Sequence, residues 1–134
     1  MIRTFEEYTH ELTEEEREFI MPHLIKTLTS AVGVDRAVTN STIVGSINYI
    51  LKDEGIKTSG PRIRHMIHIL RVTNVIPLLI ATSKGYYVTH NMEAIETYIG
   101  SLEDRLRSIS AVLRALKQQR DYYKDKPEQQ TLIM

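Results

Sequence analysis

The stretch SGPRIRHMIHILRVTNVIPLLIATSKGYYV, residues 59–88, decides the fold. Ser59 and Pro61 are residues that begin helices, because a serine oxygen caps free N–H groups and proline lacks a donor that the first turn leaves unpaired. Apolar residues follow at helical spacing, and then the pattern changes to β-branched and aliphatic residues around a Ser-Lys-Gly turn at 83–85. The expected elements are a helix over 59–72 and a β-hairpin over 78–89.

Two further helices precede this stretch. A capping box at Thr13-Glu14-Glu15-Glu16 begins the first, which Pro22 should kink or restart. Residues 37–39 are a short extended candidate, residues 40–41 cap the second helix, and Gly55 ends it. The order helix, extended segment, helix, tight turn, helix and hairpin predicts a winged helix-turn-helix, a mainly α fold with a small β-hairpin.

A long C-terminal helix should follow the hairpin, capped by Asn91 and reaching as far as Tyr123. Its isoleucines and leucines recur at alternating spacings of four and three, which is the heptad pattern of a coiled coil. Two interpretations stay open: the seam pairs two copies of the chain as a homodimer, or it packs onto the chain's own winged helix. The seam consists of Ile95, Ile99, Leu102, Leu106, Ile109, Leu113 and Leu116.

The chain should therefore comprise a winged helix-turn-helix domain over 1–90, a long helix over 91–123 and a flexible tail over 124–134. The tail ends in QQTLIM, residues 129–134. This ending is similar to the peptides that bacterial replication proteins dock into the sliding clamp. A contact with a sliding clamp is one interpretation of the tail, and an unstructured end is the other.

The distribution of charge points to nucleic acid, although the formal net charge is zero. Residues 1–54 carry a net charge of −5 and residues 93–134 a net charge of zero. Residues 55–92 contain no Asp or Glu and five basic side chains. A locally basic segment that includes the third helix and the hairpin is typical of a small footprint on phosphates. Double-stranded DNA is therefore the expected partner.

The third helix should lie in the major groove, with the hairpin against an adjacent part of the duplex. Side chains that face away from its apolar side should read bases, and Arg62 could pair with guanine through two hydrogen bonds. The predicted base-reading set is Ser59, Arg62, His65 and His68. The predicted phosphate contacts are Lys57, Arg64, Arg71 and Lys84.

Other classes of function find little support in the sequence. The chain has no cysteine, no apolar run long enough to cross a bilayer and an acidic N-terminus that is not typical of a signal peptide. No catalytic motif is present, so we expect neither an enzyme nor a cofactor. His65 and His68 have a spacing that metal ligands use, but no further ligand lies near them in sequence, and we expect no metal site.

The chain resembles a group of small phage and prophage winged-helix proteins. The resemblance lies in Ser59-Gly60-Pro61-Arg62-Ile63-Arg64, in the ending Ile67-x-x-x-Arg71-Val72, and in Ser83-Lys84-Gly85-Tyr86-Tyr87 of the hairpin. The start Leu12-Thr13-Glu14-Glu15-Glu16 and the patterns Ser101-Leu102 and Ile109-x-x-Val112 also match, so the resemblance covers roughly residues 12–120. It implies the fold and a setting in the cytoplasm of a bacterial host cell, and it assigns no site residues.

These observations favour a phage-type DNA-binding protein, either a transcriptional regulator or a replication accessory factor. The alternative is a protein-interaction module on the same scaffold, such as an antirepressor or an inhibitor of host machinery.

Overall fold

The computed structural model describes residues 3–126. It is mainly helical, with 68% of residues in helices, a small two-stranded antiparallel sheet and a long C-terminal helix. This confirms the mainly α class and the hairpin. The chain divides into two compact units, with the boundary between Ile95 and Glu96.

The first unit holds most of the elements. In chain order, the helices and strands of residues 3–126 are α1 (Phe5–Thr9), a π-helical turn (Glu16–Ile20), α2 (Met21–Ser30), a 3-10 turn (Val34–Arg36), α3 (Asn40–Ile50), a second 3-10 turn (Lys52–Glu54), α4 (Gly60–Val72), β1 (Leu79–Thr82), β2 (Gly85–Val88) and α5 (Met92–Tyr123). Ile20, Leu24 and Leu28 pack with the buried sides of α3 and α4 to form the core.

The capping box at Thr13 is present. The Thr13 N–H donates to Glu16 Oε1 at 2.9 Å, and the Glu16 N–H donates to Thr13 Oγ1 at 3.0 Å. The first complete turn after it is π-helical, with the Met21 N–H bonded to the Glu16 carbonyl, and α2 begins there with Pro22 in its first turn. The chain stays helical from residue 14 to residue 30, so the helix does not restart at Pro22 and instead changes from π to α geometry at Met21, directly before the proline.

The hairpin pairs Leu79 with Val88 and Thr82 with Gly85, so only Ser83 and Lys84 form its turn. The first strand begins at Leu79, within the predicted hairpin span of 78–89. Asn74 and Leu78 both have a left-handed φ, of 61° and 62°, which interrupts extended backbone before that residue.

The hairpin also pairs with two earlier segments. Val38 and Tyr86 exchange backbone hydrogen bonds of 3.0 and 2.8 Å, which confirms the extended candidate at 37–39. The Val88 N–H donates to Ala31 at 2.8 Å, and the Gly33 N–H donates to Val88 at 2.9 Å. These bonds occupy the backbone just after Ser30, the last residue of α2.

Helix α5 runs over the predicted span. Asn91 Oδ1 accepts from the N–H groups of Glu93 and Ala94 at 2.9 and 3.3 Å, which caps its first turn. No side chain of α5 is buried. Among residues 3–126, no helix has both the length and the apolar character needed to cross a bilayer. The sliding-clamp prediction rests on residues 129–134, which lie outside the described residues.

Candidate nucleic-acid interface

The start of α4 is fixed by a side chain that the sequence analysis did not single out. Asn48, on α3, donates from Nδ2 to the Thr58 carbonyl at 3.2 Å and accepts from the Thr58 N–H at 2.7 Å. Gly55 closes the preceding turn with a left-handed φ of 70°. Because both hydrogen bonds of the Thr58 backbone go to one amide group, the turn between α3 and α4 has a single defined geometry.

Ser59 then caps α4, as the sequence predicted. Its hydroxyl accepts from the Arg62 N–H at 3.4 Å, and Pro61 lies in the first turn. Asn40, at the start of α3, donates to the Gly60 carbonyl at 3.4 Å. The two helices are therefore tied together on both sides of the turn.

Helix α4 has a buried and an exposed side. The exposed side carries Arg64 and His68, with His65 and Arg71 half-buried at its edges. Lys57 and Ser59, just before the helix, are exposed as well. The core side consists of Ile63, Met66, Ile67, Ile69 and Leu70.

Arg62 does not lie free on the exposed side. Its Nε and Nη2 donate to the two oxygens of Glu16 at 2.8 and 2.7 Å, and Nη2 also donates to the Glu11 carbonyl at 3.3 Å. Glu16 is only 5% exposed. The bidentate contact with Arg62, together with hydrogen bonds from Thr13, lowers the pKa of the Glu16 carboxyl, and it raises the pKa of the Arg62 guanidinium. This guanidinium was predicted to face a base, whereas in the structure it binds a buried carboxylate.

His65 also has an acidic neighbour. Its Nε2 lies 3.1 Å from Glu11 Oε1, and Arg3 pairs with the same carboxylate. The hydrogen bond with Arg3 and the charges of Arg3 and His65 hold the Glu11 pKa below its ordinary value. Residues 55–92 therefore contain no acidic residue but still have acidic neighbours in the folded chain. The N-terminal segment places the carboxylates of Glu11 and Glu16 against one side of α4.

His68 adjoins the same segment. Its ring meets the Tyr8 ring edge-on at a centroid distance of 6.3 Å, and the Arg3 guanidinium lies 4.1 Å from the centroid of Tyr8. His68 and Arg71 also line one cleft of about 510 Å³ with the loop that precedes β1. Two of the predicted DNA-contacting residues are thus brought together.

The hairpin turn presents Lys84. This side chain is exposed, and its N–H donates to Thr82 Oγ1 at 3.2 Å. The adjoining Gly85 has a φ of +119°, and a Cβ atom there would lie 2.4 Å from the Val38 carbonyl oxygen. Glycine therefore allows the close approach that holds the hairpin against the segment before α3.

The seam in the second unit is exposed. Leu106, Ile109, Leu113 and Leu116 leave between 52% and 65% of their surface accessible. Ile109, Leu113 and Leu116 line an apolar groove of about 440 Å³ together with Val112 and Ser108. Ile99 and Leu102 are also exposed, and Ile95, which belongs to the first unit, is half-buried.

Comparisons with known proteins identify no relative: no family model, no curated protein and no solved structure matches this chain. Over residues 3–126, no three His, Asp or Glu side chains are grouped so that they could hold a metal ion. The basic residues around α4 and the hairpin are therefore the feature of this chain that points to a function.

Proposed function

We propose that this chain is a winged helix-turn-helix protein that binds double-stranded DNA through α4 and the β1–β2 hairpin. The observation that carries the proposal is the placement of three exposed basic side chains. Lys57 lies in the turn before α4, Arg64 lies on α4 and Lys84 lies in the hairpin turn, and these elements follow one another in the chain order of a winged helix. These elements lie within the part of the sequence that has no Asp or Glu.

The contacts around α4 change the roles proposed for its side chains. Arg64 and His68 on the exposed side, with Ser59 at the cap, become the main candidates to reach base edges. Lys57 and Lys84 are the candidates for phosphates, and Arg71 is a further one. Arg62 acts through Glu16, by fixing the position of α4, and we treat it as a positioning residue.

The setting follows from the resemblance to phage and prophage proteins. We propose action in the cytoplasm of a bacterial host cell, as a transcriptional regulator or a replication accessory factor. Two copies paired through the α5 seam would present two α4 helices to two half-sites, which suits a protein whose single footprint is small.

One observation favours the alternative, a protein-interaction module. Of the predicted base-reading residues, Arg62 and His65 both have carboxylate partners within the chain. Such pairing lowers the positive potential at that side of α4 and would weaken attraction to phosphate.

The experiment is a titration of the full chain into a labelled random-sequence duplex, with binding measured by fluorescence anisotropy. It is repeated between about 50 and 200 mM salt, because the affinity of proteins that make several phosphate contacts falls by orders of magnitude over this range. The proposal expects binding that weakens steeply as salt rises, since phosphate contacts release counterions. Absence of binding at the lowest salt would overturn it in favour of the interaction module.

A further inference from the structure

The charged residues on one side of the α5 seam change sign at the middle of the helix. We define the flank row as the residues that come directly after every second residue of the seam and of its continuation to Tyr123, at intervals of seven. The residues that they follow are Ile95, Leu102, Ile109, Leu116 and Tyr123. The flank row consists of Glu96, Glu103, Ser110, Lys117 and Lys124. It is acidic before Ser110 and basic after it, at equal spacings on both sides. Lys124 follows Tyr123, the last residue of α5, and its N–H still donates to the Arg120 carbonyl at 2.9 Å.

This pattern is complementary to itself when the direction of the helix is reversed. In an antiparallel pair of helices, flank-row positions face flank-row positions of the other helix across the seam, whereas in a parallel pair they face the opposite flank. If Ser110 meets the partner's Ser110, then Glu103 meets the partner's Lys117 and Glu96 meets the partner's Lys124. Each contact occurs twice, which gives four pairs of opposite charge.

We propose that two copies of this chain associate through α5 in antiparallel orientation, with Ser110 facing Ser110 of the partner subunit. The inference rests on the self-association included in the proposed function and adds its orientation and register. Within the described residues, Glu103 and Lys117 have no salt-bridge partner in their own chain, so both are available to a second copy.

The apolar groove lies at the centre of this register. Leu113 would pack on the partner's Ile109 and Leu106 on the partner's Leu116, which are the most exposed parts of the seam. Val112, on the opposite flank, would meet the partner's Val112. The interface is then isologous, with the same patch on both subunits.

A parallel pair does not use these charges. In that orientation the flank row faces Tyr98, Arg105, Val112 and Gln119 of the other flank, and no acid meets a base. Arg120, which continues the seam after Leu116, would face the partner's Arg120. An antiparallel pair shifted by one heptad brings Glu96 to the partner's Lys117 but leaves Glu103 opposite the partner's Ser110, so half of the charge pairs are lost.

Charge reversal tests the orientation and the register together. The dimer dissociation constant of the full chain is measured by sedimentation equilibrium for Glu103→Lys, for Lys117→Glu and for the double variant. Each single change replaces two attractions with two repulsions, so we expect it to raise the constant about ten-fold, and the double variant should restore it to within about three-fold. Asp104→Lys is the matched control, because it makes the same change of charge on the side of the helix away from the seam.

Cross-linking gives an independent measurement, since the natural chain has no cysteine. In the Ser110→Cys variant, a short bismaleimide should cross-link the new cysteine to the same position of the partner subunit. Glu96→Cys, at an equivalent flank position, should not, because the register separates the two Glu96 positions by about 42 Å along the axis. Equal cross-linking of both variants would overturn the orientation in favour of a parallel pair.

The outcomes separate the two proposals. If the wild-type chain dimerises and the single reversals leave the dissociation constant unchanged, the register is wrong and self-association stands. If the wild-type chain is a monomer at high micromolar concentration, self-association and the register both fall, and the DNA titration still decides the proposed function.

Discussion

The Arg62 guanidinium binds both carboxylate oxygens of Glu16, although 46 residues separate them in sequence. Glu16 is also the residue that closes the capping box with Thr13. The Glu16 carboxylate thus connects the start of the π-helical turn Glu16–Ile20 to the first turn of α4. The contact gives Arg62 a structural role and leaves Arg64 and His68 as the polar side chains of the helix that are exposed.

Removal of Arg62 should lower the stability of the first unit. In Arg62→Ala the buried Glu16 carboxylate loses its bidentate partner and keeps the hydrogen bonds from Thr13 alone. Because the side chain of Arg62 is 41% exposed, solvent already screens the pair, and we expect a loss of about 1–2 kcal/mol in the free energy of unfolding rather than the larger cost of a fully buried pair. Urea unfolding followed by circular dichroism measures it.

Arg64→Ala is the matched control for this loss. Arg64 is exposed two residues further along the same helix, so its truncation should change the free energy of unfolding by less than about 0.5 kcal/mol. Equal losses in the two variants would mean that the contact with Glu16 contributes nothing beyond the arginine stem.

The same contact predicts a dependence of stability on pH. The pKa of Glu16 in the folded chain is below its ordinary value of 4.5, so in acid the unfolded state binds more protons than the folded state. The contribution of Glu16 is therefore fully present above about pH 4.5 and is lost as the pH falls through the lowered pKa.

Glu16→Gln isolates that contribution. Glutamine keeps an acceptor for the Thr13 N–H but does not titrate, so the difference in unfolding free energy between wild type and variant should shrink as the pH is lowered below about 4.5. Glu14→Gln, an exposed change in the same turn, provides the comparison. A difference that is constant from pH 7 to pH 3 would contradict the coupling.

Local chemistry made much of this fold predictable. The Thr13 and Ser59 caps, the Gly55 turn and the bounds of α5 all depend on residues close to one another in sequence. The contacts between segments that are distant in sequence could not be predicted in this way. Arg62 lies at a helical position beside the apolar side, where it can face either solvent or a neighbouring segment, and only the packing of residues 3–16 against α4 decides between the two.

The interaction of Asn48 with Thr58 was missed for a related reason. Asparagine in the middle of a helix is an ordinary solvent-facing residue by pattern, and its neighbour lies ten residues away. The usable signal was the polar residue directly after the buried Ile47, on a helix followed by a tight turn with free backbone groups.

Gly85 provides a test of the hairpin attachment. In Gly85→Ala the new Cβ would meet the Val38 carbonyl oxygen and the residue would keep a φ of +119° that alanine avoids. The strain and the displaced backbone pairing should lower the free energy of unfolding by about 2–3 kcal/mol, which denaturant unfolding measures.

Gly45→Ala is the opposite change within the same unit. Gly45 lies inside α3 with open space around its Cβ position, so alanine should stabilise the chain by about 0.5–1 kcal/mol through helix propensity. If both substitutions stabilise, the hairpin does not depend on the close approach to Val38.

The proposed DNA contacts predict different effects for different cations. Lys84→Ala should weaken binding to all duplex sequences alike and reduce the slope of log affinity against log salt by about one, because it removes a phosphate contact at the hairpin turn. Arg64→Ala should in addition relax sequence preference in a selection from a random pool, since Arg64 lies on the exposed side of α4.

Lys26→Ala is the control for both changes, because Lys26 is exposed on α2, outside the proposed interface. Arg62→Lys distinguishes positioning from reading. Lysine keeps the charge and cannot make the bidentate contact with Glu16, so stability should fall while the salt slope stays the same. If Arg62→Lys instead relaxes the sequence preference in the selection with no loss of stability, Arg62 contacts DNA directly and its contact with Glu16 must open on binding.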